Sequence, residues 1–325
     1  MYTNKNIEAF IPANNKEFLK ESIISILNQT IGTIDITVMD TSCSGDIEVM
    51  VNQLSNEYPN VHHYKLSGNV SQLEITKKIA DIAQKDFTLI FNGGDILHPD
   101  YLKYAIDAIN KYPNTSVVSS CYQDWSNPTN ENWAKASQRF DYCTDKKMFV
   151  NYLYRMQRYS HSNTVYKTQN LKEHIYNTEY YAQFGRIGNK PLIANTMKDN
   201  DGAIIFRSKK FLRYRVSLEK NNQNCGPSYG EIIAYSRFAK HYMQDCLYSK
   251  FMFNIINYKQ LRTAYFWGRD FTLSLEEFIQ KAIDENAGCE WTKLCIIPVI
   301  GKLFIETAHI LRKFFKTKYK RVFYL

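Results

Sequence analysis

Two aspartates in this chain of 325 residues stand where a carboxylate could do chemistry. Asp40 directly follows Ile36-Thr37-Val38-Met39, and Asp95 follows Phe87-Thr88-Leu89-Ile90-Phe91 across the short turn Asn92-Gly93-Gly94. Each run is apolar, rich in β-branched or aromatic residues, and stops abruptly at polar ones, which is how a buried parallel strand reads where it ends. In open α/β sheets, ligands bind outside the carboxyl ends of the strands. Two carboxylates at one such rim suit a nucleotide, whose base N–H and ribose hydroxyls can donate to them. They also suit a hard divalent cation, which prefers oxygen ligands. Each residue has a plainer reading as well. Asp40 could simply cap a turn, and Asn92-Gly93 is among the best turn dipeptides.

The elements that must hold these residues follow from hydrophobic spacing. Ile7 to Pro12 reads as a first strand closed by Asn14-Asn15, either of which could cap a helix over Glu17 to Asn28. Gly32 interrupts the pattern, and Ile34 to Met39 forms a second strand that ends in the polar loop Asp40 to Asp46. A helix over Ile47 to Asn56, a strand over Val61 to Leu66, a helix over Leu73 to Ala83 and a strand over Phe87 to Phe91 complete the order. The alternation βαβαβαβ predicts a mostly parallel sheet with helices on both faces.

Composition narrows the class. The seven cysteines, at 43, 121, 143, 225, 246, 289 and 295, are scattered without a CxxC pair, which argues against a zinc site or disulfide framework and fits a reducing compartment. The opening MYTNKNIEAFIP has no apolar signal core, which argues against export, and no uncharged apolar stretch reaches membrane-spanning length. The net charge of +9 is concentrated at the end: from Trp291 onward eight Lys and Arg face one acid, Glu306. The other 33 basic and 31 acidic residues nearly cancel, so a nucleic-acid surface is not expected.

These blocks resemble a known family. IPANNKEFLKESIISILNQT is similar to the opening strand and helix of the family 2 glycosyltransferases, ITVMDTSCSGD to their strand ending in D-D-G-S-x-D, and FTLIFNGGDILHPDYL to their D-x-D stretch. The likeness is strong over Ile7 to Tyr112 and resumes more weakly at Asp201 to Arg207, then runs to Gly230-Glu231 and Arg237. It implies an α/β fold of GT-A type: a Rossmann-like, mostly parallel sheet with flanking helices, followed by a helical C-terminal extension. It implies a glycosyltransferase of the hexosyltransferase class that uses a nucleotide-diphosphate sugar, a UDP-sugar by preference, and inverts the anomeric centre.

The resemblance also assigns roles. Asp40 would hold the nucleoside, although the second acid of the usual pair is Thr41 here. Asp95 would meet the diphosphate through Mg²⁺ or Mn²⁺, with the D-x-D motif reduced to Asn92-Gly93-Gly94-Asp95. His241 is a second metal candidate. Glu231, with Ile232 in place of an acid partner, would be the general base, against a plainer reading as a first-turn glutamate. Further donor contacts would come from Pro12, Asn14, Ser71, Lys77, Asn92, Gly93, Gly94 and Arg207. Helical Lys77 could equally face solvent, Arg207 could sit in a surface ion pair, and His98 could cap or pack.

The segment from Tyr122 to Asn200 departs from the compact family pattern and carries many aromatic rings, which suits an acceptor site or an ordinary subdomain core. The expected organisation is a GT-A domain over 1–245, with a nucleotide-sugar half over 1–121 and an acceptor half over 122–245, then a helical region over 246–325. Met243 to Tyr258 and Leu273 to Ile283 are its helix candidates. Lys302 to Lys320, if helical, forms a basic amphipathic face able to lie on an anionic membrane or dock on the domain. The expectation is a cytoplasmic enzyme, peripheral on the inner membrane face, that acts on a glycan or polyprenyl-diphosphate-linked acceptor in bacterial surface-polysaccharide synthesis. The alternative is a non-catalytic nucleotide-sugar-binding or scaffold subunit, motivated by the missing acids at Thr41 and Ile232.

Overall fold

The computed structural model describes residues 1–66, 70–120, 123–125, 138–155, 161–176, 189–198, 200–206 and 211–215. From 233 onward it describes the stretches 233, 236–241, 253–259, 261–262, 265, 273–285, 287–288, 292–293, 303, 306–307 and 322–323. The predicted alternation is present as β1 (Ile7–Ala13), α1 (Leu19–Leu27), β2 (Asp35–Asp40), α2 (Asp46–Glu57), β3 (Val61–Lys65), α3 (Gln72–Ile82) and β4 (Phe87–Ile90). β1 pairs in parallel with both β2 and β4, and β2 with β3, so the strands lie side by side as β4-β1-β2-β3.

The chain continues through β5 (Ile96–Leu97), α4 (Tyr101–Lys111), β6 (Thr115–Ser120), β7 (Gln123–Trp125), β8 (Phe140–Cys143), α5 (Lys146–Arg155), β9 (Thr164–Lys167) and α6 (Thr168–Ile175). It ends with α7 (Asn189–Thr196), β10 (Gly202–Phe206), β11 (Leu212–Arg215), α8 (Leu275–Asp284) and β12 (Val322–Phe323). The main sheet has nine strands in the order β12-β8-β10-β6-β9-β4-β1-β2-β3, and β5-β11-β7 make a second, three-stranded sheet. β9 lies antiparallel between β4 and β6. The segment read as a departure from the fold therefore supplies a central strand.

Strand alternation sorts the side chains into two cores. Ile7, Ala9, Ile11 and Ala13 of β1 enter the first, with α1, α2 and α4 packed on that face. Phe10 enters the second, covered by α3, α5, α6 and α7. Full burial of a ring such as Phe10 contributes roughly 1.5–3 kcal/mol. Helix α3 opens with a capping box, in which Ser71 and Glu74 satisfy each other's N–H groups.

The start of α1 differs from expectation. Neither Asn14 nor Asn15 caps it; both stand exposed, and the N-cap is Phe18 at φ 62°, ψ −4° with no side-chain cap bond. A left-handed bend thus turns the chain from the end of β1 into the helix.

Of the Met243 to Tyr258 candidate, residues 253–258 are described and helical; the Leu273 to Ile283 candidate appears as α8, opened by a Ser274–Glu277 capping box. Ile233, Leu261, Phe278, Ile279, Ala282 and Ala287 form a third apolar cluster. Phe238 belongs to the second core, while neighbouring Arg237 donates to the Glu285 carbonyl at 2.6 Å and Ser236 accepts from Asn257 at 2.8 Å. The 236–241 segment therefore packs on both sides of the boundary expected at 245. Among the described residues no helix is long and apolar enough to cross a membrane. The basic tail over 302–320 lies almost wholly outside them.

Candidate active site

The loop Asn92–Asp95 leaves the carboxyl end of β4 and leads into β5 of the small sheet, so Asp95 sits where the two sheets meet. Gly93 lies against the end of β1: its N–H donates to the Pro12 carbonyl at 3.3 Å, and an added Cβ would come within 3.3 Å of that oxygen. Gly94 has φ +109°, a conformation that favours glycine. Two serine hydroxyls fasten the loop. Ser22 of α1 accepts from Gly94 N at 2.7 Å and donates to the Asp95 carbonyl at 2.8 Å. Ser162, three residues before Val165 of β9, accepts from Asn92 N at 2.9 Å and donates to Asp95 Oδ2 at 2.6 Å. The Asp95 N–H donates to the Asn92 carbonyl at 3.3 Å. All four main-chain N–H groups of Asn92–Asp95 are therefore bonded inside the protein, and Asp95 is 3% exposed.

Asp40 ends β2 directly beside Ala13 of β1, and Thr41 N donates to the Ala13 carbonyl at 2.8 Å. Its carboxylate is fully buried. Oδ1 accepts from the Ser42 N–H at 2.8 Å and the Ser42 hydroxyl at 2.7 Å. Oδ2 meets His63 Nε2 at 3.0 Å and Lys65 Nζ at 2.9 Å, and Lys65 also donates to the Ser42 carbonyl at 2.7 Å. Burial alone pushes the carboxyl pKa up, but the bonds from Ser42, His63 and Lys65 outweigh it and bring the value down to about 2. A carboxylate that stays ionised can only accept, so His63 Nε2 carries the proton in this contact.

The structure thus gathers Pro12, Gly93, Gly94 and Asp95 in one contact, with Asp40 one strand away and Asn14 exposed in the loop after β1. Other residues are engaged elsewhere. Ser71 is an exposed helix cap, and Lys77 Nζ lies 5.9 Å from the centre of the Tyr176 ring. His98 is buried against Phe211, and its Nδ1 accepts from Asp100 N at 3.1 Å, so it packs and caps. Burial lowers its pKa. His241 is exposed at the end of the 236–241 segment. Arg207 and Glu231 lie outside the described residues. No group of three His, Cys, Asp or Glu able to hold a metal occurs among the described residues.

Four residues of the rim were not anticipated: Ser22, His63, Lys65 and Ser162. His63 and Lys65 did leave a signal, as polar residues at the end of a strand whose register sets Lys65 opposite Asp40. Ser162 left none, since nothing in the sequence places β9 beside β4.

Comparison with protein families matches the glycosyl transferase family 2 model over residues 9–175, just over half of the chain. The chain belongs to this family and is a glycosyltransferase. The match runs through 122–175, which the sequence had set apart, and ends before the Asp201–Arg207 block. Among solved structures, S. aureus TarS 1-349 in complex with UDP-GlcNAc is similar at TM-score 0.59 and 13% identity, covering 97% of this chain and 93% of that one. The same protein in complex with UDP gives TM-score 0.54 and 12% identity, covering 90% and 81%. The mannosyltransferase PcManGT from Pyrobaculum calidifontis, solved with GDP-Man and Mn²⁺, gives 0.51 and 12%, covering 97% and 88%. These likenesses establish the GT-A-type fold. No curated protein matches significantly.

Proposed function

We propose that this enzyme transfers one sugar, with inversion, from a nucleotide-diphosphate sugar to a hydroxyl of a glycan or lipid-linked oligosaccharide in bacterial surface-polysaccharide synthesis. The observation that carries the reading is the internal bonding of the Asn92–Asp95 loop. Because its four N–H groups are consumed inside the protein, the loop brings a carboxylate to the rim and no cradle of donors. A diphosphate next to Asp95 would be repelled unless a cation stood between them. One carboxylate is enough for a hard cation that draws its remaining ligands from phosphate and water, so Asp95 fits Mg²⁺ or Mn²⁺. Bound there, the ion would neutralise charge developing on the leaving diphosphate. The Mn²⁺ recorded with GDP-Man in PcManGT supports this, and the UDP and UDP-GlcNAc complexes of TarS favour a uridine donor.

The chain's own residues supply the rest. Asp40 holds Lys65 and the loop after β2 in place, and the nucleoside lies over that loop. The acceptor oxygen bonds to the anomeric carbon as the bond to the diphosphate oxygen breaks and its electron pair leaves with the diphosphate. Glu231 takes the hydroxyl proton. Glu231→Gln should keep donor binding and lower turnover by about 10²–10⁴-fold; near-normal turnover removes Glu231 from the mechanism. The basic tail brings the enzyme to anionic lipid, so cosedimentation with phosphatidylglycerol vesicles should be lost when residues 302–325 are removed.

The deciding test is the melting temperature with UDP, GDP, CMP and dTDP, each with and without Mn²⁺. Stabilisation by one nucleotide that grows with Mn²⁺ and disappears in Asp95→Ala is expected. A rise that is indifferent to metal would refute the cation bridge, and no rise with any nucleotide would refute the donor reading.

A further inference from the structure

We infer that Ser162 is a positioning residue for the donor reaction, setting the orientation of Asp95 from the strand next door. The inference rests on the donor reading given above. Asp95 follows the two glycines of a short turn, and a side chain there needs an external hold to keep one orientation. The Ser162 hydroxyl provides it. The 2.6 Å separation to Asp95 Oδ2 is that of a hydroxyl donating to a carboxylate, and Ser162 Oγ itself accepts the Asn92 N–H at 2.9 Å. One fully buried atom therefore ties the two ends of the loop together.

Ser162 is itself held without help from a ligand. It belongs to a single 3-10 turn, His161–Asn163, that leads straight into β9. The β4–β9 pairing of Leu89 with Val165, carried three residues onward, sets Ser162 opposite Asn92. Next to it, Asn163 donates to Ser120 Oγ at 3.0 Å, and its carbonyl accepts from the Tyr101 hydroxyl at 2.5 Å. Burial pushes the Tyr101 phenol pKa far up, so that donor keeps its proton. Ser22 grips the opposite side of the turn through Gly94 N and the Asp95 carbonyl, fixing the main chain but not the carboxylate. Ser162 bonds the carboxylate itself and so bears directly on the orientation of the charge. Partners that orient a metal-facing carboxylate commonly change affinity by 10–100-fold when removed.

The test is a double-mutant cycle read by calorimetric binding of UDP and of GDP in the presence of Mn²⁺. Ser162→Ala should weaken nucleotide binding about tenfold, Asp95→Asn should weaken it further, and the double variant should bind no worse than Asp95→Asn alone. Ser162→Thr, which keeps the hydroxyl, should restore binding to within about threefold, the scatter typical of such contacts. Losses that multiply in the double variant, or a Ser162→Ala protein that melts lower yet binds normally, would show a merely structural role. That result would leave the donor reading standing so long as Asp95→Asn still weakens binding. A wild-type chain that binds neither nucleotide overturns both.

Discussion

Asp40 and Asp95 stand on either side of β1 at one rim, and both are buried, yet the groups seen to grip them differ. Asp40 meets two basic side chains, His63 and Lys65, and two bonds from Ser42, so its charge is answered within the protein. The hydroxyls of Ser22 and Ser162 that fasten the Asp95 loop add geometry without adding charge. In the proposed function the first carboxylate, expected from the sequence to hold the nucleoside, instead shapes the floor of the site through Lys65 and Ser42. In the same proposal the second meets the cation. Two acids that look alike along the chain are therefore expected to fail differently when altered.

The largest contrast should come from Asp95→Asn, which keeps the shape and an acceptor for Ser162 but removes the charge. Turnover measured by nucleotide release should fall about 10²–10³-fold, or roughly 3–4 kcal/mol of barrier, with little change in urea midpoint. Asp40→Ala should do the reverse: a loss of about 2–3 kcal/mol of stability in urea, because it strands Lys65 and His63. If Asp40→Ala unfolds no more easily than the wild type, the division of labour collapses.

Lys65→Met is a gentler probe, costing about 1–2 kcal/mol. It also has a pH signature. The folded-state value of about 2 lies below the ordinary carboxyl value of 3.8, so the wild-type contribution is complete above 3.8 and is lost as pH falls toward 2. Losing Lys65 should raise the folded value and shrink that acid-limb effect, which urea midpoints between pH 2 and 5 would register. The smallest expected change is Gly94→Ala. No atom stands within 4 Å of an added Cβ, so only the left-handed backbone at φ +109° resists it, by about 1 kcal/mol. Turnover that falls in step with stability would tie catalysis to the shape of that turn.

The parallel half of the sheet was legible because each strand and helix there carries a complete local signal. Val61–Lys65 and Phe87–Ile90 lie within the runs that the spacing marked. β1, β2 and β3 lie side by side in chain order, as consecutive βα units commonly do, whereas β4 crosses back to pair with β1. The same logic placed Asp40 and Asp95 at one edge. It could not show their partners, which come from elsewhere in the chain: Ser162 is 67 residues from Asp95, and Lys65 is 25 from Asp40. Nor could it show that a strand from the aromatic middle segment enters the centre of the sheet, because Thr164–Lys167 is short and its pairing is decided by tertiary packing. The start of α1 eluded the usual capping rule because a left-handed phenylalanine does what an asparagine side chain was expected to do.

The antiparallel insertion of β9 between β4 and β6 has a consequence for how the protein is made. A ribosome that has delivered the first 121 residues has produced β4 and β6 but not the strand that joins them. Until residue 167 emerges, each strand presents an unpaired edge, the template on which chains aggregate. Residues 1–121 therefore leave the sheet broken between β4 and β6. A truncated gene ending before β9 should yield insoluble product, while one extending through α6 closes the gap.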